Sequence, residues 1–335
     1  MRKETRIALN GYMAQVAKVN GIESAAEKFT VEPTAQQRLE TAIQESSGFL
    51  KRINIVGVTE KTGESLSLGV TGSIAGRTDT TQKDRQPRTV HGLTKDSYDC
   101  KKTDFDTALA YATIDAWAKF QDFQARLAGA VAERQALDRI MIGFNGTSAA
   151  DETNRNTNPL LQDVNIGWLQ KIRTSAADRV MTEVVEDSGK VTLGATGDYK
   201  TLDGIVFDAI QALEPWHRKH PNLVVLVDRN LLHSKLLNAV ERGADSNQEE
   251  NAVDEIIAKA RLGGLPIVDA PFFPDGTLLV TTLDNLSIYW QEGARRRHLI
   301  DNPKRDRLED YQSSNDAYVI EDFGLVSLVE NIEAV

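Results

Sequence analysis

The sequence predicts an α+β fold on three observations. Residues 114–144 carry an amphipathic helical pattern of 31 residues, about 46 Å long at about 1.5 Å per residue. Residues 57–99 hold only nine apolar residues, too few for a core of their own, yet 66–70 alternate with strand period. Residues 198–291 interleave helical patterns with short apolar runs, as a compact α/β layer does. With 335 residues, 41% apolar, 26% charged and only 9 prolines, the chain reads as a folded protein long enough for two domains.

Taken in order, residues 1–51 should form two short helices around a break. Leu9, Tyr12, Val16 and Val19 recur at spacings of three and four, giving one narrow apolar stripe that needs a partner. After Pro33, Thr34 and Gln37 have the spacing of a capping box, followed by Leu39, Ile43 and Leu50 on a second helix. The link over 27–33 reads as extended and exposed. In 57–99, Leu66, Leu68 and Val70 alternate with polar residues, and Gly63, Gly72 and Gly76 punctuate the stretch like turns. A structureless loop of that length is improbable inside a domain. The expectation is a two-stranded arm that projects from the body and lies on another copy of the chain, since bare hairpins are marginal in water.

On the long helix, Phe120, Phe123, Leu127, Val131 and Met141 share one sector, while Asp115, Lys119, Asp122, Arg126 and Glu133 share another. Asp115 with Lys119 and Asp122 with Arg126 are spaced as i,i+4 pairs. Leu137, Ile140 and Phe144 fall on the formerly polar side, so the C-terminal half should be the more buried; Gly143, Asn145 and Gly146 should then stop the helix. Beyond residue 198, Leu202, Ile205, Val206, Ala209, Ile210 and Leu213 make a helix ended by Pro215, and 223–227 reads as a buried strand. Asp228 can cap a helix carrying Leu231, Leu232, Leu236 and Val240, and Val253, Ile256, Ile257 and Ala260 make another. Strands follow at 266–269, 277–282 and 286–290, and the tail over 305–332 is stranded again, with Tyr318, Ile320, Leu325 and Val329 in the core.

Charge and composition exclude several functions. Forty-nine acidic against 39 basic residues leave a net charge of −10, unsuited to coating a phosphate backbone. Cys100 is the only cysteine, so neither an intrachain disulfide nor a thiolate metal cluster can form, and a reducing compartment is expected. No run approaches the roughly 20 apolar residues of a membrane span, and the N-terminus lacks the pattern of a signal peptide.

The catalytic inventory is thin. Gly69, Gly72, Ser73 and Gly76 lack the Gly-Lys-Ser/Thr of a phosphate loop and the frame of a nucleophile elbow, and read as hairpin turns. His217 and His220 lie in a turn between Pro215 and Pro221, where a solvated loop is expected. His233 has no companion ligand on its helix. Asp203 and Asp208 are five apart and do not face each other as an acid and base pair would. Cys100 has no histidine near it in sequence. The densest charged cluster is Arg295, Arg296 and Arg297 with Lys304, Arg305 and Arg307, interspersed with Asp301, Asp306, Glu309 and Asp310. Both signs are present, which favours ion pairs across a subunit contact over a phosphate site.

A long helix, a core-poor arm, an α/β layer and no site form a combination with a known counterpart. The chain resembles the major capsid proteins of tailed phages, with the Hong Kong 97-like fold, in the Peduovirus (phage P-two-like) branch. The resemblance is carried by Met1-Arg-Lys-Glu-Thr-Arg6, Lys28-Phe-Thr-Val-Glu-Pro33, Gln44-Glu-Ser-Ser47, Arg52-Ile-Asn-Ile-Val56, Gly69-Val-Thr-Gly-Ser-Ile-Ala75, Trp117 with Gln121-Asp-Phe-Gln124, Gly143-Phe-Asn-Gly146, Asn158-Pro159, Leu161-Gln-Asp163, Gly167-Trp-Leu-Gln-Lys171 and Asn285-Leu-Ser-Ile-Tyr289. It spans nearly the whole chain.

The resemblance implies an N-terminal arm (1–55), an extended loop (56–100), a peripheral domain with the spine helix (101–197), an axial domain (198–291) and return strands of the peripheral domain (292–335). It implies a non-enzymatic subunit, without cofactor or metal, that assembles as pentamers and hexamers into an icosahedral shell around double-stranded DNA, without sequence-specific binding. Scaffolding protein, portal protein and a maturation protease are the implied partners, with cleavage around Phe29 and Thr30. Assembly in the host bacterial cytoplasm and residence in the virion follow. Contact residues between subunits are expected at Leu66, Leu68, Val70 and Ile74 on the arm and at Arg295, Arg296, Arg297 and Arg305. Lys61 and Lys83 lie on the arm without a cross-linking motif, so no covalent chain mail is expected. Alternatives are a bacterial nanocompartment or prophage-remnant shell, or, in another class, an α/β ligand-binding enzyme built on 198–291.

Overall fold

Two sheets and a helical spine share this chain, and the computed structural model describes residues 2–335 apart from 71–74, 76, 83, 87–90, 118–122 and 233–260. The N-terminal region forms helix α1 (Lys3–Val19), the short strand β1 (Phe29–Thr30) and helix α2 (Pro33–Ser46). On α1 the buried stripe is Leu9, Tyr12, Val16 and Ala17, and Val19 is exposed. Pro33 occupies the first turn of α2, where its missing N–H costs no hydrogen bond. Thr34 therefore lies inside the helix, and the expected capping box with Gln37 does not form.

Strand β2 (Asn54–Val58) leads into an antiparallel hairpin, β3 (Thr62–Val70) and β4 (His91–Asp99), in register from Thr62 opposite Asp99 to Val70 opposite His91. The two-stranded arm is thus present. Gly63 lies within β3 opposite Tyr98 rather than in a turn; Gly72 and Gly76 fall outside the described residues. Leu66, Leu68 and Val70 stand on β3 opposite Lys95, Leu93 and His91, and Ile74 lies outside the described residues.

Strands β5 (Lys101–Asp104) and β6 (Thr107–Ala110) precede helices α3 (Tyr111–Trp117) and α4 (Phe123–Asn145). Lys119, Phe120 and Asp122 fall between these helices, outside the described residues, so both expected i,i+4 pairs do too. Asp115 instead accepts the backbone N–H of Arg2 at 3.0 Å. The C-terminal part of α4 is the buried one, as its pattern predicted, with Arg139, Ile140, Met141, Ile142 and Phe144 all in the core. The helix ends at Asn145, directly before Gly146, as expected, but Gly143 lies inside it. A Cβ there would lie 2.3 Å from the Trp168 ring, so the glycine is a notch for that indole, and α4 runs on to Asn145.

After a loop comes α5 (Trp168–Ser175), then β7 (Val180–Met181), β8 (Val191–Leu193) and α6 (Leu202–Gln211), whose N-terminus is capped by the Thr201 side chain accepting from Gly204 N–H. The remaining strands are β9 (Val224–Val227), β10 (Arg261–Leu262), β11 (Leu265–Val268), β12 (Leu278–Thr281), β13 (Leu286–Gln291), β14 (Arg296–Asn302), β15 (Arg307–Ile320), β16 (Ser327–Val329) and β17 (Ile332–Ala334). Asp228 accepts from Asn230 N–H at 3.0 Å where the chain enters a helical turn. His233, Leu236, Val240 and the helix expected around Val253 to Ala260 lie outside the described residues.

The first sheet runs β1-β14-β15-β13-β2, with β5 and β6 on the free side of β15; the second runs β10-β11-β9-β12-β16-β7. This topology departs from the expected division of the chain. β13 lies before residue 291 but belongs to the first sheet, β16 lies after 292 but pairs β12 in the second, and β7 joins the second sheet from ahead of residue 198. Among the described residues the chain crosses between the sheets three times, between β6 and β7, at 283–285 and at 323–325, and local periodicity cannot reveal which sheet a strand enters.

Trp168 anchors the main core, with Phe144 and Tyr318 meeting its ring edge-on at 5.3 and 5.2 Å. The second sheet is buried on both faces. Val224, Leu226 and Leu279 enter the main core, whereas Val225, Val227, Leu278 and Val280 pack under α6, which is why 223–227 reads as one unbroken apolar run. A third core gathers Leu9, Tyr12, Val16 and Phe29 over Tyr111, Ile114, Leu127 and Leu299.

Candidate functional site

The arm leaves the body at an apolar root. Cys100 N–H donates to Lys61 O at 2.8 Å, closing the hairpin where its strands part. Cys100 and Tyr98 pack with Ala317 and Val319 of β15, with Val58 and Tyr289 beside them. Burial, with Asp316 and Asp99 nearby, pushes the Cys100 thiol up to about 12. It is a structural sulfur rather than a nucleophile. In the folded subunit Cys100 should resist alkylation at about pH 8, where an exposed thiol of pKa about 8.5 reacts, and become reactive on unfolding in guanidinium; rapid labelling of folded protein would show that the root opens.

Beneath α2 and α4 lies a buried charged seam. Arg139 donates to both oxygens of Glu40, at 3.3 Å through Nη2, and to both oxygens of Asp316, at 3.1 and 3.2 Å. Arg295 donates to Glu40 at 2.9 Å and to Gln135 and Gln312 at 2.7 and 3.0 Å. All four charged side chains are almost wholly buried. Burial raises Glu40, but Arg139 and Arg295 outweigh it and hold its pKa below the usual carboxylate range. Burial also pushes the Asp316 carboxyl up, with Arg139 opposing and Glu40 adding. Two guanidinium groups and two carboxylates leave the seam neutral, and it ties α2, α4, β15 and the start of β14 together.

The seam overturns part of the expected contact list. Arg295 is fully buried. Arg297 is bound in a fork to Asp310 at 3.0 and 2.8 Å and donates to Tyr12 Oη at 2.6 Å, which fastens α1 to the first sheet. Arg296 is half-buried and donates to Gly293 O at 2.8 Å. Arg305 alone of the four is exposed. The cluster reads as surface in sequence because its partners lie up to 285 residues away. Glu40 and Arg139 carry one local signal, a charge set inside an apolar helical stripe beside Leu39, Ile43 and Ile140, whereas Gln135, Gln312 and Asp316 carry none.

The link over 27–33 is also corrected. It is extended, but Phe29 stands opposite Arg297 and Thr30 opposite Arg296 in β-pairing, and Val31 N–H donates to Arg295 O at 3.0 Å. Phe29 and Val31 are buried. Elsewhere the expected solvated groups are engaged: His217 lies 3.0 Å from Asp322, Asp203 accepts from Gly263 N–H at 2.9 Å, and Asp208 accepts from Tyr199 Oη. An open cleft of about 730 Å³ lies between Phe49, Arg52 and the turn holding Asp269 and Phe272. Its Asp228 is engaged by two backbone N–H groups. Among the described residues no three side chains group as metal ligands, and no helix is long and apolar enough to cross a membrane.

Residues 8–332 match the family described as phage major capsid protein, P2 family. The capsid proteins of Escherichia phage P2 are 47% identical over 342 residues, covering 99% of this chain and 96% of theirs. The major capsid protein of Serratia phage KSP20 is 40% identical over 342 residues, covering 99% and 97%. The solved procapsid of satellite phage P4, including its size determination protein, superposes with a TM-score of 0.82 at 44% identity, covering 100% of this chain and 99% of that one.

Proposed function

Since the chain belongs to the P2 family of phage major capsid proteins and has the Hong Kong 97-like capsid fold, we propose that its work is done by repeated contacts between copies rather than at a site. It is a structural subunit of the virion shell. Copies join as pentamers and hexamers around double-stranded DNA, which the shell encloses without reading its sequence. Assembly takes place in the host cytoplasm with a scaffolding protein and a portal, and a maturation protease acts around Phe29 and Thr30. In this reading the first sheet with α4 forms the peripheral domain and the second sheet with α6 the axial one. The arm residues Leu66, Leu68, Val70 and Ile74, with Arg305 and the half-buried Arg296, lie at contacts between copies.

The observation that carries the reading is the arm. Its strands pair only with each other among the described residues, and a two-stranded hairpin is marginal in water without a surface to lie on. Individual contacts should be modest, because a shell closes accurately only when wrong contacts can break and reform. Negative-stain electron microscopy of the chain expressed with and without its adjacent scaffolding gene tests this. Uniform closed shells with the scaffold are expected; small particles in both preparations would overturn the reading.

A further inference from the structure

We infer that Tyr98, clasped between Gly63 and Tyr289 at the root of the arm, sets the direction in which the arm leaves the body and so the curvature of the shell; the inference rests on the capsid reading above. The two arm strands pair through nine residue pairs and with no other strand among the described residues. Their direction is therefore decided at the root.

Four residues form a continuous stack there. Tyr98 stands directly across from Gly63, and its ring lies over the glycine: a Cβ on Gly63 would sit 2.6 Å from Tyr98 Oη. An aromatic ring covering a cross-strand glycine fills the space the missing side chain leaves. The same ring meets Tyr289 of β13 edge-on, with centroids 5.2 Å apart and planes at 71°. Tyr289 Oη in turn donates to Glu321 at 3.0 Å, so the ring that receives the arm is itself held by the body. Close behind, Cys100 is buried against β15 and keeps the two strand ends from sliding.

The geometry of a lever makes this contact matter. The strand from Thr62 to Val70 extends about 26 Å at about 3.3 Å per residue, so a rotation of about 10° at the root carries its far end about 5 Å, roughly one strand spacing. A displacement of that size changes which groups of a neighbouring copy the arm meets. One edge-on ring contact is small against the stability of a whole subunit. The clasp can be removed without unfolding the body, and Tyr98 acts as a positioning residue.

Tyr98→Leu, Tyr98→Phe and Gly63→Ala would each be expressed with the adjacent scaffolding gene beside the unaltered chain, and shell diameters measured by electron microscopy. Circular dichroism and sedimentation of the free subunits should not change. Tyr98→Leu and Gly63→Ala should lose the single-diameter population and give mixed shells and open sheets, while Tyr98→Phe, which keeps the ring, restores uniform shells. Gly63→Ala displaces the ring without emptying the Cys100 pocket, so it decides the matter alone should Tyr98→Leu fail to fold. Uniform shells of unaltered diameter from Gly63→Ala overturn this inference while leaving the capsid reading standing. No shells from the unaltered chain overturn both.

Discussion

Glu40→Ala should destabilise the subunit by about 3–5 kcal/mol, the effect of stripping one partner from a buried charge network. Glu40 is the carboxylate shared by Arg139 and Arg295. Without it two guanidinium groups face only Asp316, in a site where neither water nor another carboxylate can replace the lost charge. Against a total stability of about 5–15 kcal/mol, that loss is a large fraction of the whole. The same reasoning applies to reversing charge at Arg295, which should unfold the subunit rather than merely impair assembly. The double change Glu40→Met with Arg295→Met keeps the Arg139–Asp316 pair and a neutral seam, so it should be markedly less harmful than Glu40→Ala alone. Urea denaturation of the three proteins measures this. A loss below about 1 kcal/mol for Glu40→Ala, the range of an exposed pair, would show that water reaches the seam.

Removing residues 66–76 should have the opposite profile. The deletion takes strand residues that pair only with β4 among the described residues, and it leaves the root residues Gly63, Tyr98 and Cys100 in place. The described members of the cores around Trp168 and under α6 come from other segments of the chain. The truncated subunit should stay soluble, with circular dichroism and a melting temperature close to those of the full chain, yet build no stable shells. Normal shells from the shortened chain would refute the role given to the arm. Between them the two experiments separate what holds the subunit together from what joins one subunit to the next.

Much of this was legible beforehand, and the failures have a common cause. The 3.6-residue period placed α1, α2 and α6, and it identified the C-terminal half of α4 as the buried part. The strand period over Leu66, Leu68 and Val70, with so few apolar residues around it, announced a hairpin that must lie on something else. Two local signals point the wrong way. Thr34 has the spacing of a cap, but Pro33 is already helical, and Gly143 resembles part of the stop that falls at Asn145 because its neighbour, Trp168, lies 25 positions on. The arginine run misled for a stronger reason. In sequence a charge is assumed to face water, and only burial with a distant partner reverses that assumption.

Helices, strands and the family could be read from the amino-acid order alone, because periodicity, composition and motif order are properties of neighbouring residues. Three-dimensional packing was needed to reveal which sheet each strand enters, that Arg295 and Arg297 hold the N-terminal helices, and that Phe29 is zipped against β14. Those outcomes depend on pairings as far apart as Tyr12 and Arg297, 285 residues along the chain. A contact of that span leaves no local pattern, since its stability arises only when folding removes water from both partners at once.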